Sequence, residues 1–331
     1  MTSSRRKHSN LHNETVTAPE FLIVGTPRSG TTLVQRLACE LSAVVVPPET
    51  HFFSDFYPRL RRRHSFPLDE ASLRQALGSY LKMKTSSGLK LEVDDVVATL
   101  DGWCRSPLDL YGAITLRLAG GAELVGEKTP DHLRWWQPLA TSLPHLRIVA
   151  VTRDPRGVVA SRIQAGWGAR VPELLAWRWR LDQQELTRAR TTLGPDRYLQ
   201  IRYEDAATQP TATKMRLAKW LGVSAGVDSE KTVSRDQLFL PWEHWKQRAT
   251  EPVTTDRIRA WNEILDGRSS ATVLAICRNE MIGIGYWGQS EQEQYDSGPP
   301  TTLALDRRIK IGRMQISRWR EARWIRRQDL I

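Results

Sequence analysis

The segment GTPRSGTT, residues 25–32, has the spacing of a phosphate-binding loop but lacks its lysine. The nucleotide-hydrolysing version reads G-x-x-x-x-G-K-[ST], with the lysine on the β- and γ-phosphates and the hydroxyl on magnesium. Gly25 and Gly30 keep that spacing, but Thr31 stands where the lysine belongs and Arg28 is the only cation inside the loop. Three more stretches carry groups that could act on an anion or a hydroxyl. PPETH at 47–51 brings Glu49 and His51, GEKTP at 126–130 brings Glu127 and Lys128, and TRDP at 152–155 brings Arg153, with Ser161 eight residues further on.

The elements around these residues are those such chemistry needs. FLIVG (21–25) is a short apolar run ending in glycine, as a buried parallel strand does. TTLVQRLACELSA then shows helical spacing, so a helix starting near Thr31 points its unpaired N–H groups and positive dipole end into the loop. VVVPPETHFF reads as a second strand that the two prolines turn into a loop. If that segment is extended, Glu49 and His51 share a face. SLRQALGSYLKM reads as a helix, ELVGEKTP as a strand with a turn, and LRIVAVTRDP as the strongest strand of the chain. PRGVVASRIQAGW opens a helix with proline in its first turn. PELLAWRWRLDQQELTRARTTLG, RYLQIRYEDA and TATKMRLAKWLGV continue as helix, strand and helix.

This alternation predicts an α/β domain: a three-layer, P-loop-like fold with a mostly parallel central sheet, closed by C-terminal helices at DRIRAWNEIL and SSATVLAICRNEMIGIGYW. Ligands of such sheets sit at the carboxyl ends of the strands, where all four segments fall. Residues 1–19 read as a flexible N-terminus and 20–288 as the catalytic domain. Residues 289–300 read as a polar linker and 301–331 as a basic, tryptophan-bearing helix that packs on the body, binds a membrane surface or joins an oligomer.

With 331 residues, 40% hydrophobic and 26% charged, the chain suits one large globular domain with a helical appendage. A net charge of +11 favours an anionic ligand, nucleic acid or an acidic membrane, and roughly half of the excess lies in 301–331. Cys39, Cys104 and Cys277 are too few and too scattered for a disulfide framework or a zinc site. A reducing, cytoplasmic setting is therefore expected. The first twenty residues hold no apolar stretch, and nowhere does an apolar run reach the ~18 residues of a membrane span.

TPRSGTT and RDPRGVVAS (153–161), in this order and at this distance, resemble the two nucleotide motifs of sulfotransferases that use 3′-phosphoadenosine 5′-phosphosulfate (PAPS). The tyrosylprotein, heparan-sulfate and bacterial small-molecule branches are the most similar, and the resemblance runs in scattered motifs from about residue 20 to residue 287. It implies a nucleotide-kinase-like fold, PAPS as cosubstrate and no metal. Pro27, Arg28, Ser29, Gly30, Thr31 and Thr32 would form the 5′-phosphosulfate loop, and Arg153 and Ser161 the 3′-phosphate site. Tyr203 would lie near the adenine, and Lys246 and Arg248 in WKQRATEPV would belong to a late basic loop closing over the nucleotide.

By the same resemblance Arg28 stands beside the bridging oxygen, a place that lysine fills in much of the family, and Lys128 is a second cation near the transferred group. ETHFF is similar to an E-x-H-F-F segment that carries the catalytic glutamate, which makes Glu49 the base, with His51 orienting the acceptor or serving as base itself. Glu127 is an alternative base, and His132 has a structural place on the following turn. An aspartate follows the two phenylalanines in the heparan branch, whereas this chain has Ser54 and then Asp55. Trp242 and Trp245 either line the acceptor pocket or pack. The expected partner is a hydroxyl-bearing small molecule, sugar, lipid or peptide, and not nucleic acid. Two other readings compete: a small-molecule kinase with a degenerate loop, and a nucleic-acid or membrane-binding module built on the basic tail.

Overall fold

The computed structural model describes residues 19–166, 168, 170–225, 233–296, 305–328, 330 and 331. The expected flexible N-terminus, up to residue 18, and residues 297–300 of the expected linker lie outside the described residues. Five strands form one sheet in the order β2-β3-β1-β4-β5: β1 (Phe21–Gly25), β2 (Val44–Val45), β3 (Leu124–Glu127), β4 (Arg147–Thr152) and β5 (Tyr198–Arg202). Every described pairing is parallel, with Gly25 level with Val151. The sheet that the sequence makes mostly parallel is thus wholly parallel among the described residues.

Central strands β1 and β4 are apolar and buried on both faces, as crossover helices require. Leu22, Val24, Ile148 and Ala150 face a large aromatic layer that includes Phe52, Phe53, Tyr57, Tyr111 and Trp135. Phe21, Ile23, Val149 and Val151 face the opposite layer, built from helix Thr31–Cys39 and helix Pro210–Leu221. A third cluster joins helices Pro155–Gln164, Pro172–Arg197 and Gly267–Gly283 beside the sheet. The long helix breaks at Gly194 (φ 69°), next to Pro195, which turns the chain into β5.

Four stretches depart from the sequence expectations. β2 is only two residues long, because Pro47 and Pro48 follow it closely. Beyond it the chain is not extended: His51 takes a left-handed backbone (φ 50°), and Phe52–Phe56 forms one wide helical turn that puts Phe52, Phe53 and Phe56 into the core together. DRIRAWNEIL is helical only over Trp261–Ile264. Gln289–Asp296, expected as linker, is a helix whose Glu291 pairs with Arg156 at 2.8 Å. The basic tail forms helix Leu305–Ile325 and lies on the body, burying Ile311 and Ile325. Arg134 holds Glu321 at 2.9 Å, and Arg318 pairs with the buried Asp182. No described helix is long and apolar enough to cross a membrane.

Candidate active site

A cleft of about 880 Å³ opens at the carboxyl ends of the strands, lined by the glycine loop, the Glu49–Asp55 turn, the start of helix Pro155–Gln164 and the segment 242–254. In the loop, Ser29 N–H donates to the Thr26 carbonyl at 3.0 Å and closes the turn. Gly30 (φ 92°) caps helix Thr31–Cys39, and a Cβ there would meet the Tyr203 ring at 2.4 Å. The first-turn N–H groups of that helix have no intrahelical acceptor and open onto the cleft where Gly30, Thr31 and Thr32 line it. Arg28 is also left-handed (φ 81°), a conformation that costs a side-chain-bearing residue free energy. Only three described non-glycine residues have positive φ, and two of them, Arg28 and His51, line this cleft.

The half of the cleft around Arg28 and Arg153 is cationic. Arg28 Nε donates to Ser161 Oγ at 3.2 Å, so the glycine loop and the helix after β4 meet through one hydrogen bond. Arg153 Nη1 donates to the Arg28 carbonyl at 3.2 Å, and Nη2 to the Arg257 carbonyl at 2.7 Å. The Arg153 guanidinium stacks 4.2 Å from the centre of the Tyr203 ring. Its Nε and the Ser29 hydroxyl, both buried, have no partner among the described residues. A Cβ on Gly157 would come within 2.8 Å of that Nε, so the helix after β4 needs glycine to let the guanidinium lie there. Desolvation, and then the repulsion of Arg153, bring the Arg28 guanidinium down to about 10. It is still a cation at neutral pH, but a poorly compensated one.

The half of the cleft around Glu49 is charge-balanced. Glu49 Oε1 accepts Lys128 Nζ at 2.5 Å and also accepts the Lys246 ammonium, while its Oε2 lies 3.2 Å from His51 Nε2. Lys246 reaches Glu243 as well, so one ammonium bridges two carboxylates. Glu49, His51 and Glu243 have the donor types of a metal site, but that bridging ammonium already serves the two carboxylates. Burial alone would raise the Glu49 carboxyl; Lys128, then Lys246 and His51, hold it well below the usual carboxylate range. Burial brings Lys128 down to about 8 against the pull of Glu49. His51 moves up: burial opposes its charge, but the contact with Glu49 outweighs it.

The remaining expected residues are placed as follows. Lys246 lines the cleft and is held there by Glu49 and Glu243. Arg248 lines the rim but is exposed and pairs with Asp256 at 3.2 Å. Glu127 is sealed in the core and does not line the cleft: its Oε1 takes the hydroxyls of Thr50 (2.9 Å) and Thr129 (2.5 Å), and its Oε2 the His132 Nδ1 (2.9 Å). The Phe53 N–H donates to the other ring nitrogen of His132 at 3.1 Å, so both nitrogens are used structurally. Tyr203 is at once the support of Gly30 and the platform of Arg153. Trp242 and Trp245 line the cleft and meet edge to face at 5.4 Å.

The sequence reading missed Glu243 and Arg257. Glu243 precedes Lys246 by three residues, the spacing of an ion pair on a single turn, and that signal was available. Arg257 contributes a backbone carbonyl, which no sequence pattern marks.

Residues 19–226 match the profile described as the sulfotransferase family. No curated protein sequence matches significantly. Two solved structures have a similar fold, each with a TM-score of 0.54. One is the sulfotransferase domain of an olefin synthase from Synechococcus PCC 7002, 21% identical, covering 79% of this chain and 94% of that one. The other is the sulfotransferase domain of the curacin biosynthetic pathway, 16% identical, covering 82% and 99%. The matched span carries the glycine loop, Glu49, Lys128 and Arg153 on one parallel sheet, and on that match this chain belongs to the sulfotransferase family, as an enzyme of sulfuryl transfer.

Proposed function

We propose that the enzyme moves the sulfuryl group of PAPS onto an acceptor hydroxyl by in-line displacement, with side-chain cations rather than a metal ion balancing the charge. The observation that carries this reading is the cluster of Arg28 and Arg153 at a helix N-terminus, with the Arg153 Nε and the Ser29 hydroxyl left without partners among the described residues. Buried like charges and orphaned polar groups are costly unless an anion completes them. PAPS offers two anionic groups on one adenosine. Pro27–Thr32 would hold the 5′ group, Arg153 and Ser161 the 3′-phosphate, and Tyr203 would face the nucleoside. A kinase reading has less support, since Thr31 stands in the lysine position of the loop.

Arg28 would neutralise charge on the oxygen that leaves sulfur, and Lys128 the charge on the sulfuryl group itself. Glu49 would take the proton of the acceptor hydroxyl as its oxygen bonds to sulfur, which requires the lysines to release part of their hold on the carboxylate. The short approach of His51 to Glu49 supports a second reading, in which His51 is the base and Glu49 orients it. The acceptor is a small molecule, sugar, lipid or peptide bearing a hydroxyl, entering beside Trp242 and Trp245.

Thermal unfolding with adenosine 3′,5′-bisphosphate tests the donor site directly. At about a hundred times its dissociation constant the ligand should add about 2.7 kcal/mol of stability, and Arg153→Ala should remove most of that gain. Stabilisation by ATP with magnesium and none by the bisphosphate would reverse the assignment to a kinase-type donor.

A further inference from the structure

Large apolar side chains are exposed at eight described positions, and five of these lie in the C-terminal tail: Ile309, Ile316, Trp319, Trp324 and Ile331. The tail is docked, so this exposure is not that of a segment without a seat. Ile311, Arg318 and Ile325 recur every seven residues and turn toward the body. Tyr57 and Trp135 pack against Trp324 with ring centres at 6.4 and 5.6 Å, and the Leu330 carbonyl accepts the Leu108 N–H at 3.3 Å. Ile309 and Ile316 fall on the opposite face of the same helix and Trp319 on its flank, and they are each about half exposed or more: 48%, 53% and 56%.

That outer face is also strongly basic. Arg308, Lys310, Arg313, Arg320, Arg323, Arg326 and Arg327 are exposed on the tail, with Asp306 the only exposed acid among its described residues. Arg323 lies 5.5 Å from the centre of the Trp319 ring, so the aromatic and cationic groups form one patch. Isoleucines between arginines, with tryptophan, make the composition of a helix that lies in the plane of an anionic bilayer. Nucleic acid would use the arginines but gains little from half-exposed isoleucines. A second copy of this chain would bring the same positive charge against itself.

We propose that the outer face of helix Leu305–Ile325 binds the surface of anionic membranes, with Ile309, Ile316 and Trp319 entering the headgroup boundary and the arginines meeting lipid phosphates. The tail carries the sulfotransferase body to the bilayer as a peripheral protein. This inference does not depend on the acceptor or on the roles given to the cleft residues.

Sedimentation of the full chain with vesicles tests it, comparing phosphatidylcholine alone with phosphatidylcholine containing about a third phosphatidylglycerol. Recovery on the anionic vesicles should exceed that on neutral ones by about tenfold or more and fall with added salt. Ile316→Ser with Trp319→Ser should lower it about tenfold at unchanged melting temperature and unchanged bisphosphate binding. Arg320→Gln should lower it roughly fivefold on its own. Equal recovery on both vesicle types, or on neither, would overturn the proposal. So would retention of binding by the double serine variant, or a dimer in solution that the variant dissociates without lipid. RNA binding that outcompetes the vesicles and ignores both serine substitutions would assign the face to nucleic acid instead.

Discussion

At the donor end of the cleft, neither Arg28 nor Arg153 has a carboxylate within ion-pairing distance among the described residues, and each has the other as neighbour. At the acceptor end, Glu49 is met by Lys128, Lys246 and His51, and Lys246 is shared with Glu243. On the proposed reading the donor half carries an electrostatic deficit that an anionic ligand would relieve, which would couple ligand binding to stability there. The acceptor half closes its own charge balance. In the proposed reaction the acceptor hydroxyl would compete for the Glu49 oxygens with two ammoniums, which hold the carboxylate ionised but shielded. Glu127 shows the limiting case, a carboxylate so completely satisfied by Thr50, Thr129 and His132 that nothing from the cleft can reach it.

Breaking the donor half should have the largest effect. Arg28→Ala is expected to cut turnover with PAPS by roughly 10²- to 10³-fold, the usual effect of removing one preorganised charge-stabilising donor. A radiolabel-transfer assay at saturating PAPS reads it, and near-parental turnover would remove Arg28 from the reaction. The same assay on Glu49→Gln should show a loss of about 10²-fold with bisphosphate affinity nearly unchanged, because the substitution keeps shape and removes only the proton acceptor. A matching loss of nucleotide affinity would mean that Glu49 belongs to the donor half after all.

The smallest effect, and the most informative about the acceptor half, is the pH profile of turnover. Lys128 loses its proton as pH rises through about 8, so the rate should fall on that side by about tenfold per unit once the charge is gone. On the acid side the two candidate bases separate. Glu49 is held well below the usual carboxylate range and stays ionised as pH falls, so a Glu49-driven rate persists at pH 5. His51 is raised above 6.5, so a rate that needs its neutral form already declines at that pH.

Much of the fold around the glycine loop was legible from the sequence because its parts are neighbours along the chain. FLIVG, the glycine loop and the helix from Thr31 form one continuous strand–turn–helix unit, and the distance from Arg153 to Ser161 is set by one helix start. The backbone carries most of that chemistry, and local spacing is enough to describe it. The acceptor half was only partly legible. The resemblance of WKQRATEPV places Lys246 in a late basic loop, but its contact with Glu49, 197 residues away in sequence, follows from no local pattern. The extended face expected for Glu49 and His51 does not form, since burying Phe52, Phe53 and Phe56 together imposes a wide helical turn. The two side chains still pair, with the His51 backbone at positive φ.

The sequence by itself determined the parallel sheet and the glycine loop at the carboxyl end of its central strand β1, because each follows from periodicity and spacing within a few residues. Only the tertiary structure decided which charges cancel. It placed Glu127 in the core and Glu49 in the cleft although both flank strand ends, and it turned the basic tail into a docked helix with an outer apolar face. Ion pairing and burial depend on distances between segments that chain order does not encode, and at these short separations an ångström decides whether a charge is neutralised or left for a substrate.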